Sequence, residues 1–134
     1  MKALSLKQPW ADLIKIGAKT IETRKWETTY RGELLICASK NVDVASMKYF
    51  QGLFSPVELE EVKTGVAVCV AELYDCREMT KEDEGQALCE VYGEGRWKAK
   101  SFLLRNVRPI KPFMVKGQLG IFDVDVNPED LEFL

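Results

Sequence analysis

The stretch GVAVCVAELYDC, residues 65–76, is nearly all apolar over eight positions. A run this short, rich in β-branched residues, suits a strand better than a helix. Its lack of polar alternation makes it a central strand, covered on both faces. The rest of the chain must be arranged around it.

ALSLK (3–7) alternates apolar and polar residues, as a half-buried strand does. Pro9 then suits the first turn of a helix, where a missing N–H costs nothing. Trp10, Leu13 and Ile14 follow at i, i+3 and i+4 as an apolar stripe, which reads as core. Gly17 is placed to end this helix in the left-handed conformation. TIETRKWE (20–27) is a strand candidate with Glu22, Arg24 and Trp26 on one face. GELLICAS (32–39) is a second strand, apolar on both faces. VASMKYFQGLF (44–54) reads as a helix ended near Gly52, and SPVELEEVKTG (55–65) as a polar connection. TKEDEGQALCEVYG (80–93) predicts a short helix capped by Thr80, although Gly85 weakens it. FLLRNVRPI (102–110) is a strand ended by Pro109; Pro112 and Lys116-Gly117 mark loops; LGIFDVDV (119–126) is a last, alternating strand. About six strands interleave with two or three short helices without βαβ order. That predicts an α+β fold: a small mixed or antiparallel β-barrel, closed or half-closed, with flanking short helices. The 134 residues suit one domain, 1–134.

Several functional classes are excluded at once. Histidine is absent, so Ser-His-Asp and Cys-His catalysis are ruled out, and so is the commonest zinc ligand. Cys37, Cys69, Cys76 and Cys89 form no CxxC pair and read as free thiols. No metal site and no cofactor is expected. No phosphate loop, GxGxxG or GxSxG motif is present. No apolar run nears the roughly 20 residues of a membrane span, and no secretory leader is evident, so a cytoplasmic location is expected.

The net charge of −2 hides a segregation. Residues 1–40 carry +4, residues 41–94 carry −8, residues 95–119 carry +7 with no acid at all, and residues 120–134 carry −5. A nucleic-acid surface needs local positive potential rather than a basic total. It requires the first and third blocks to meet in space.

Within GAKTIETRKW (17–26), Lys19, Glu22 and Arg24 fall directly after the predicted helix end. On a strand, Glu22 and Arg24 would lie about 6–7 Å apart on one face. One reading is a structural ion pair bracing helix to strand. The other is a polar constellation in which Lys19 and Arg24 grip a phosphate or carbonyl while Glu22 accepts from a base or ribose. Trp26 shares their face and is a stacking candidate, as is Trp97 within GRWKAKS (95–101). Arg96, Lys98 and Lys100 of that segment would follow a phosphate backbone.

SLKQPWADLIKIGAKTIETRKW, YRGELLICASK and LRNVRPIKPFMVKGQLGIF together resemble the ASCH domain, a branch of the PUA-like superfamily. Gly17, Lys19, Glu22 and Arg24 match the family's G-x-K-x-x-E-x-R pattern in full. Gln8-Pro9-Trp10 is similar to the Q-P-W or Q-P-Y opening of one subgroup, and Val115 to Phe122 to its V-K-G…G-x-F close. The resemblance implies a β-barrel with a cleft beside it, lined by Lys19, Glu22 and Arg24, with Lys7 and Gln8 nearby. It implies RNA, or a nucleoside or nucleotide, as the ligand, with roles suggested in translation or transcription coactivation.

Some small relatives act as amidohydrolases on acetylated cytidine nucleosides, and others have been described as ribonucleases. In the amidohydrolases a lysine, a threonine three residues on and a distant glutamate carry the chemistry. Lys19 matches, but Glu22 stands where the threonine should be. The alternative hydrolase reading therefore uses Lys19 and Glu22, with Glu22 activating water and Glu82 or Glu84 supplying a second carboxylate.

Overall fold

The computed structural model describes residues 1–51, 53, 62–89 and 98–134. The expected central strand is β4, Val66–Glu78. It lies inside a six-stranded sheet with β1 Lys2–Gln8, β2 Ile21–Arg24, β3 Gly32–Val42, β5 Lys100–Met114 and β6 Ile121–Asp123, in the order β2-β5-β4-β3-β1-β6. Only β1 and β3 run parallel; every other pair is antiparallel, so the sheet is mixed. Among the described residues three short α-helices accompany it: α1 Trp10–Lys15, α2 Val44–Gln51 and α3 Asp83–Ala87. The fold is α+β. No described helix is long and apolar enough to cross a membrane.

β3 is apolar on both faces because each face feeds a different core. Leu34, Ile36 and Ala38 join Leu4, Leu6, Ile14, Leu73 and Phe102 on one side. Leu35 and Cys37 join Ala3, Ala67, Val70, Ile110 and Phe122 on the other. Helix α1 covers the first core, and Val124, Val126 and Leu131 pack against the second. Period two along a strand sorts the residues between the two cores.

Four expectations are corrected. The sheet does not close into a barrel among the described residues: β2 and β6 are its two edges. β5 does not stop at Pro109 but continues through Pro112 to Met114. A residue's N–H and C=O share one side of a strand, and the Pro109 carbonyl accepts from Leu134 N at 3.1 Å. The missing proline donor thus faces the outer side, away from β4, where it disrupts nothing. β6 covers three residues instead of eight, because Val124–Val126 leave the ladder to cover the second core. Thr80 does not cap α3 with its side chain. The Asp83 carboxylate accepts from the Thr80 N–H at 2.9 Å instead. Gly52, most of 55–65, Arg96 and Trp97 lie outside the described residues.

Asp83 fixes α3 to the sheet. It accepts from Arg77 of β4 at 2.7 and 3.0 Å and from Ser101 of β5 at 2.9 Å. The Arg77 guanidinium and these hydrogen bonds hold its carboxyl well below the usual carboxylate range. A depressed folded-state pKa adds stability above the unfolded value, about 3.9, which is lost as pH falls below it. Arg77 is partly exposed, so screening reduces the effect. Asp83→Asn should cost about 1–3 kcal/mol at pH 7 in urea denaturation, a gap that narrows below about pH 4. An equal gap at pH 3 and pH 7 would contradict this assignment.

Candidate functional site

Gly17 ends α1 with φ +83°, a conformation that favours glycine. The turn brings the Lys19 N–H onto the Leu13 carbonyl at 3.0 Å and sends the Lys19 side chain inward. Lys19 is among the largest fully buried side chains, at 1% exposure. Its ammonium donates to the Ala87 carbonyl of α3, lies 3.5 Å from Glu22 Oε1 and sits 4.9 Å from the centre of the Trp10 ring. Arg24 Nε donates to Glu22 Oε2 at 3.1 Å, and Arg24 Nη2 to the Ser5 carbonyl of β1 at 2.8 Å. A buried cation is costly unless paired and hydrogen-bonded; here a carboxylate, a carbonyl and an aromatic face serve it.

This ionic chain forms one wall of a cleft of about 930 Å³. Ser5–Lys7 and Trp10, Glu22–Arg24, Ser39–Asn41, Gly65 and the run Met114–Gly120 line it. Among the described lining residues, four cations, Lys7, Arg24, Lys40 and Lys116, face a single carboxylate, Glu22. Arg24 is paired with Glu22, whereas Lys7, Lys40 and Lys116 make no ion pair with a described residue. The lining therefore carries positive charge available to an anion. Trp10 is fixed by an edge-on contact with Phe50 at 5.4 Å, and Asp43 stands at the start of α2 nearby. Asp43 accepts from the N–H and hydroxyl of Ser46, at 3.1 and 2.8 Å. These hydrogen bonds hold the Asp43 carboxyl below its ordinary range, so it stays an anion.

The structure brings Lys7, Glu22 and Arg24 together at the cleft and sets Lys19 behind them. Gln8, expected among the ligand contacts, is fully buried. It donates to Asp12 Oδ1 at 3.1 Å and to the Lys63 carbonyl at 2.9 Å, and accepts from the Asp12 N–H at 3.0 Å. Trp26 falls past the end of β2 and packs edge-on against Phe102 at 5.0 Å, away from the cleft lining. Lys98 and Lys100 do not line the cleft either. Lys100 lies 3.9 Å from Glu27 and 3.8 Å from Glu78, and Lys98 lies 4.0 Å from Glu78.

Of the second basic block, Lys116 alone of the described residues reaches the cleft. Sequence reasoning missed Ser5, Trp10 and Lys40 as lining residues and counted Lys116 only as part of the basic block 96–116 that would extend the grip. The V-K-G segment signalled Lys116; nothing local signalled the rest. No described group of three or more Cys, Asp or Glu side chains is arranged to hold a metal.

An open mixed sheet carrying short helices, with a cation-lined cleft beside its edge strand, defines a small α+β domain of PUA-like type. The chain belongs to the ASCH domain family, whose sequence model matches residues 4–113. It is 25% identical over 130 residues to Activating signal cointegrator 1 of Mus musculus, covering 91% of this chain but only 22% of that protein. The crystal structure of an ASCH protein from Zymomonas mobilis superposes with a TM-score of 0.64 at 20% identity, over 96% of this chain and 89% of that one. A mutant ASCH protein from Z. mobilis gives 0.57 at 22% identity, over 85% and 75%. At these identities the structural likeness shows the fold.

The geometry makes Lys19 a strut, with a measurable consequence. Lys19→Met leaves the Ala87 carbonyl and one side of the Glu22 carboxylate unserved and should cost about 2–4 kcal/mol. Adding Glu22→Gln should recover part of that loss, giving a favourable coupling in a double-mutant cycle followed by urea denaturation. Additive losses would show that the two side chains do not depend on each other.

Proposed function

We propose that this chain binds single-stranded RNA, or a nucleotide unit of it, in the cleft walled by Glu22 and Arg24, with Lys19 bracing them from behind. The observation that carries the reading is the charge of the described lining residues: four cations against one carboxylate, with three of the cations in no ion pair to a described residue. The ASCH family's general association with RNA agrees with it. Lys7, Lys40 and Lys116 would take phosphates, Arg24 would offer its remaining guanidinium protons, and Glu22 would accept from a base or ribose donor. The cleft volume is in the range of ligand pockets, about 300–1,000 Å³. The free thiols suit a reducing compartment, and a cytoplasmic location is part of the proposal.

The alternative, hydrolysis of an acetylated cytidine or of a phosphodiester, has less support. The Lys19 ammonium is occupied and buried behind the wall, out of reach of a ligand in the cleft. Among the described lining residues, only the Glu22 carboxylate could act as a base, and Lys19 and Arg24 hold both of its oxygens.

Salt dependence of binding tests the reading. Each phosphate contact in a single strand contributes about 0.7 to the slope of log K against log salt. Lys40→Gln and Lys116→Gln should each weaken binding of a mixed-sequence single-stranded RNA and lower that slope by about 0.7, whereas Lys98→Gln should leave it unchanged. Equal slopes in all three variants would reject the cleft as the RNA site. Turnover of acetylcytidine that Glu22→Gln abolishes would replace binding by hydrolysis.

A further inference from the structure

Ser5 Oγ stands apart among the described side-chain polar atoms: it is buried and has no hydrogen-bond partner. It lies in the wall of the cleft, under Gly117. A Cβ at residue 117 would sit 2.7 Å from Ser5 Oγ, so with Ser5 in place a larger residue at 117 would have to displace that hydroxyl. An unserved buried hydroxyl is costly, which calls for a state in which it is served.

The chain above it is weakly held. Val115 N–H bonds the Gly65 carbonyl at 3.0 Å, and Ile121 joins β1. Between them, residues 116–119 make no hydrogen bond or ion pair with a described residue. All four are exposed. Gly120, at φ +69°, gives the far end a conformation that favours glycine. Met114 and Leu119 are 88% and 99% exposed although apolar, and both line the cleft. A short segment with few bonds and apolar side chains in water has the marks of a low-stability unit that opens locally.

We propose that Val115–Gly120 is a flap over Ser5. It lifts to uncover the Ser5 hydroxyl as a ligand-binding group in the cleft wall, and reseats Leu119 and Lys116 against the ligand. The flap rests on the RNA reading for its occupant, but the opening itself does not.

The test separates the two. Ser5→Cys is placed in a Cys76→Ser, Cys89→Ser background, leaving Cys37 and Cys69 as references. Both reference thiols are buried, at 1% and 0% exposure, and burial pushes them up to about 12, so they react slowly in the folded chain. Without RNA, the Ser5→Cys thiol should react with a thiol reagent at least ~100-fold faster than Cys37 and Cys69. Reaction at the reference rate overturns the flap. In the unaltered chain, trypsin should cut after Lys116 under native conditions, and resistance there until global unfolding also overturns it.

A second variant locks the segment. The Cβ atoms of residues 5 and 117 would be 3.5 Å apart, within the disulfide range of about 3.5–4.5 Å. Ser5→Cys with Gly117→Cys, once oxidised, should bind a 12-nucleotide single-stranded RNA at least ~10-fold more weakly than when reduced. Equal binding in the two redox states overturns the role of the flap in binding. If the unaltered chain binds no RNA, the RNA reading fails while the labelling rates still decide whether the flap opens.

Discussion

A buried ammonium organises this domain. Lys19 enters the interior at the end of α1 and ties three separate parts of the chain together: α3 through the Ala87 carbonyl, β2 through Glu22, and α1 through the Trp10 ring. Each partner is needed because a lone buried cation would be prohibitive. The order of dependence continues outward. Asp83, bound by Arg77 and Ser101, fixes α3 and so the carbonyl that Lys19 uses. Glu22, held by Lys19, presents Arg24, which reaches across to the Ser5 carbonyl on β1. The cleft wall is therefore braced from behind, as a preorganised recognition surface requires.

The same arrangement joins two readings that look like rivals in the sequence. Lys19, Glu22 and Arg24 are a structural ion cluster bracing a helix to a strand, and two of them also face an open cleft. Bracing and recognition are divided by depth: Lys19 does the first, and the ligand-facing edges of Glu22 and Arg24 are proposed to do the second. The sheet order allows this, since among the described strands β2 pairs only with β5, and Glu22–Arg24 line the cleft.

Much of the fold was legible in the sequence because its signals are local. The apolar run of β4, the two-sided apolar pattern of β3 and the Pro9 to Gly17 punctuation of α1 depend on neighbours in the chain. The ends of β5 and β6 were not legible. Whether Pro109 breaks a strand depends on which side its nitrogen faces, and that is set by the C-terminal residues pairing at Phe133. Charge was the least legible. The basic block 95–119 disperses once folded: Arg105 pairs with Glu72 at 2.8 Å, Arg108 with Glu33 at 3.1 Å and Lys111 with Glu132 at 3.5 Å. Lys116 alone of the described members joins Lys7, Arg24 and Lys40, because tertiary pairing decides which cations remain available. Gln8 and Trp26, expected as ligand contacts, do not line the cleft, because nearness to a motif in sequence does not fix which way a side chain turns.

The central claim is that positive charge available to a ligand is concentrated at the cleft and not along β5. Titrating the isotope-labelled domain with single-stranded RNA and following amide and lysine side-chain resonances by NMR tests it directly. The account predicts that the largest shifts map to Lys7, Arg24, Lys40 and Lys116–Gly120, with Lys98, Arg105 and Lys111 little changed. Shifts concentrated on the β5 residues instead, with Lys40 and Lys116 undisturbed, would contradict it.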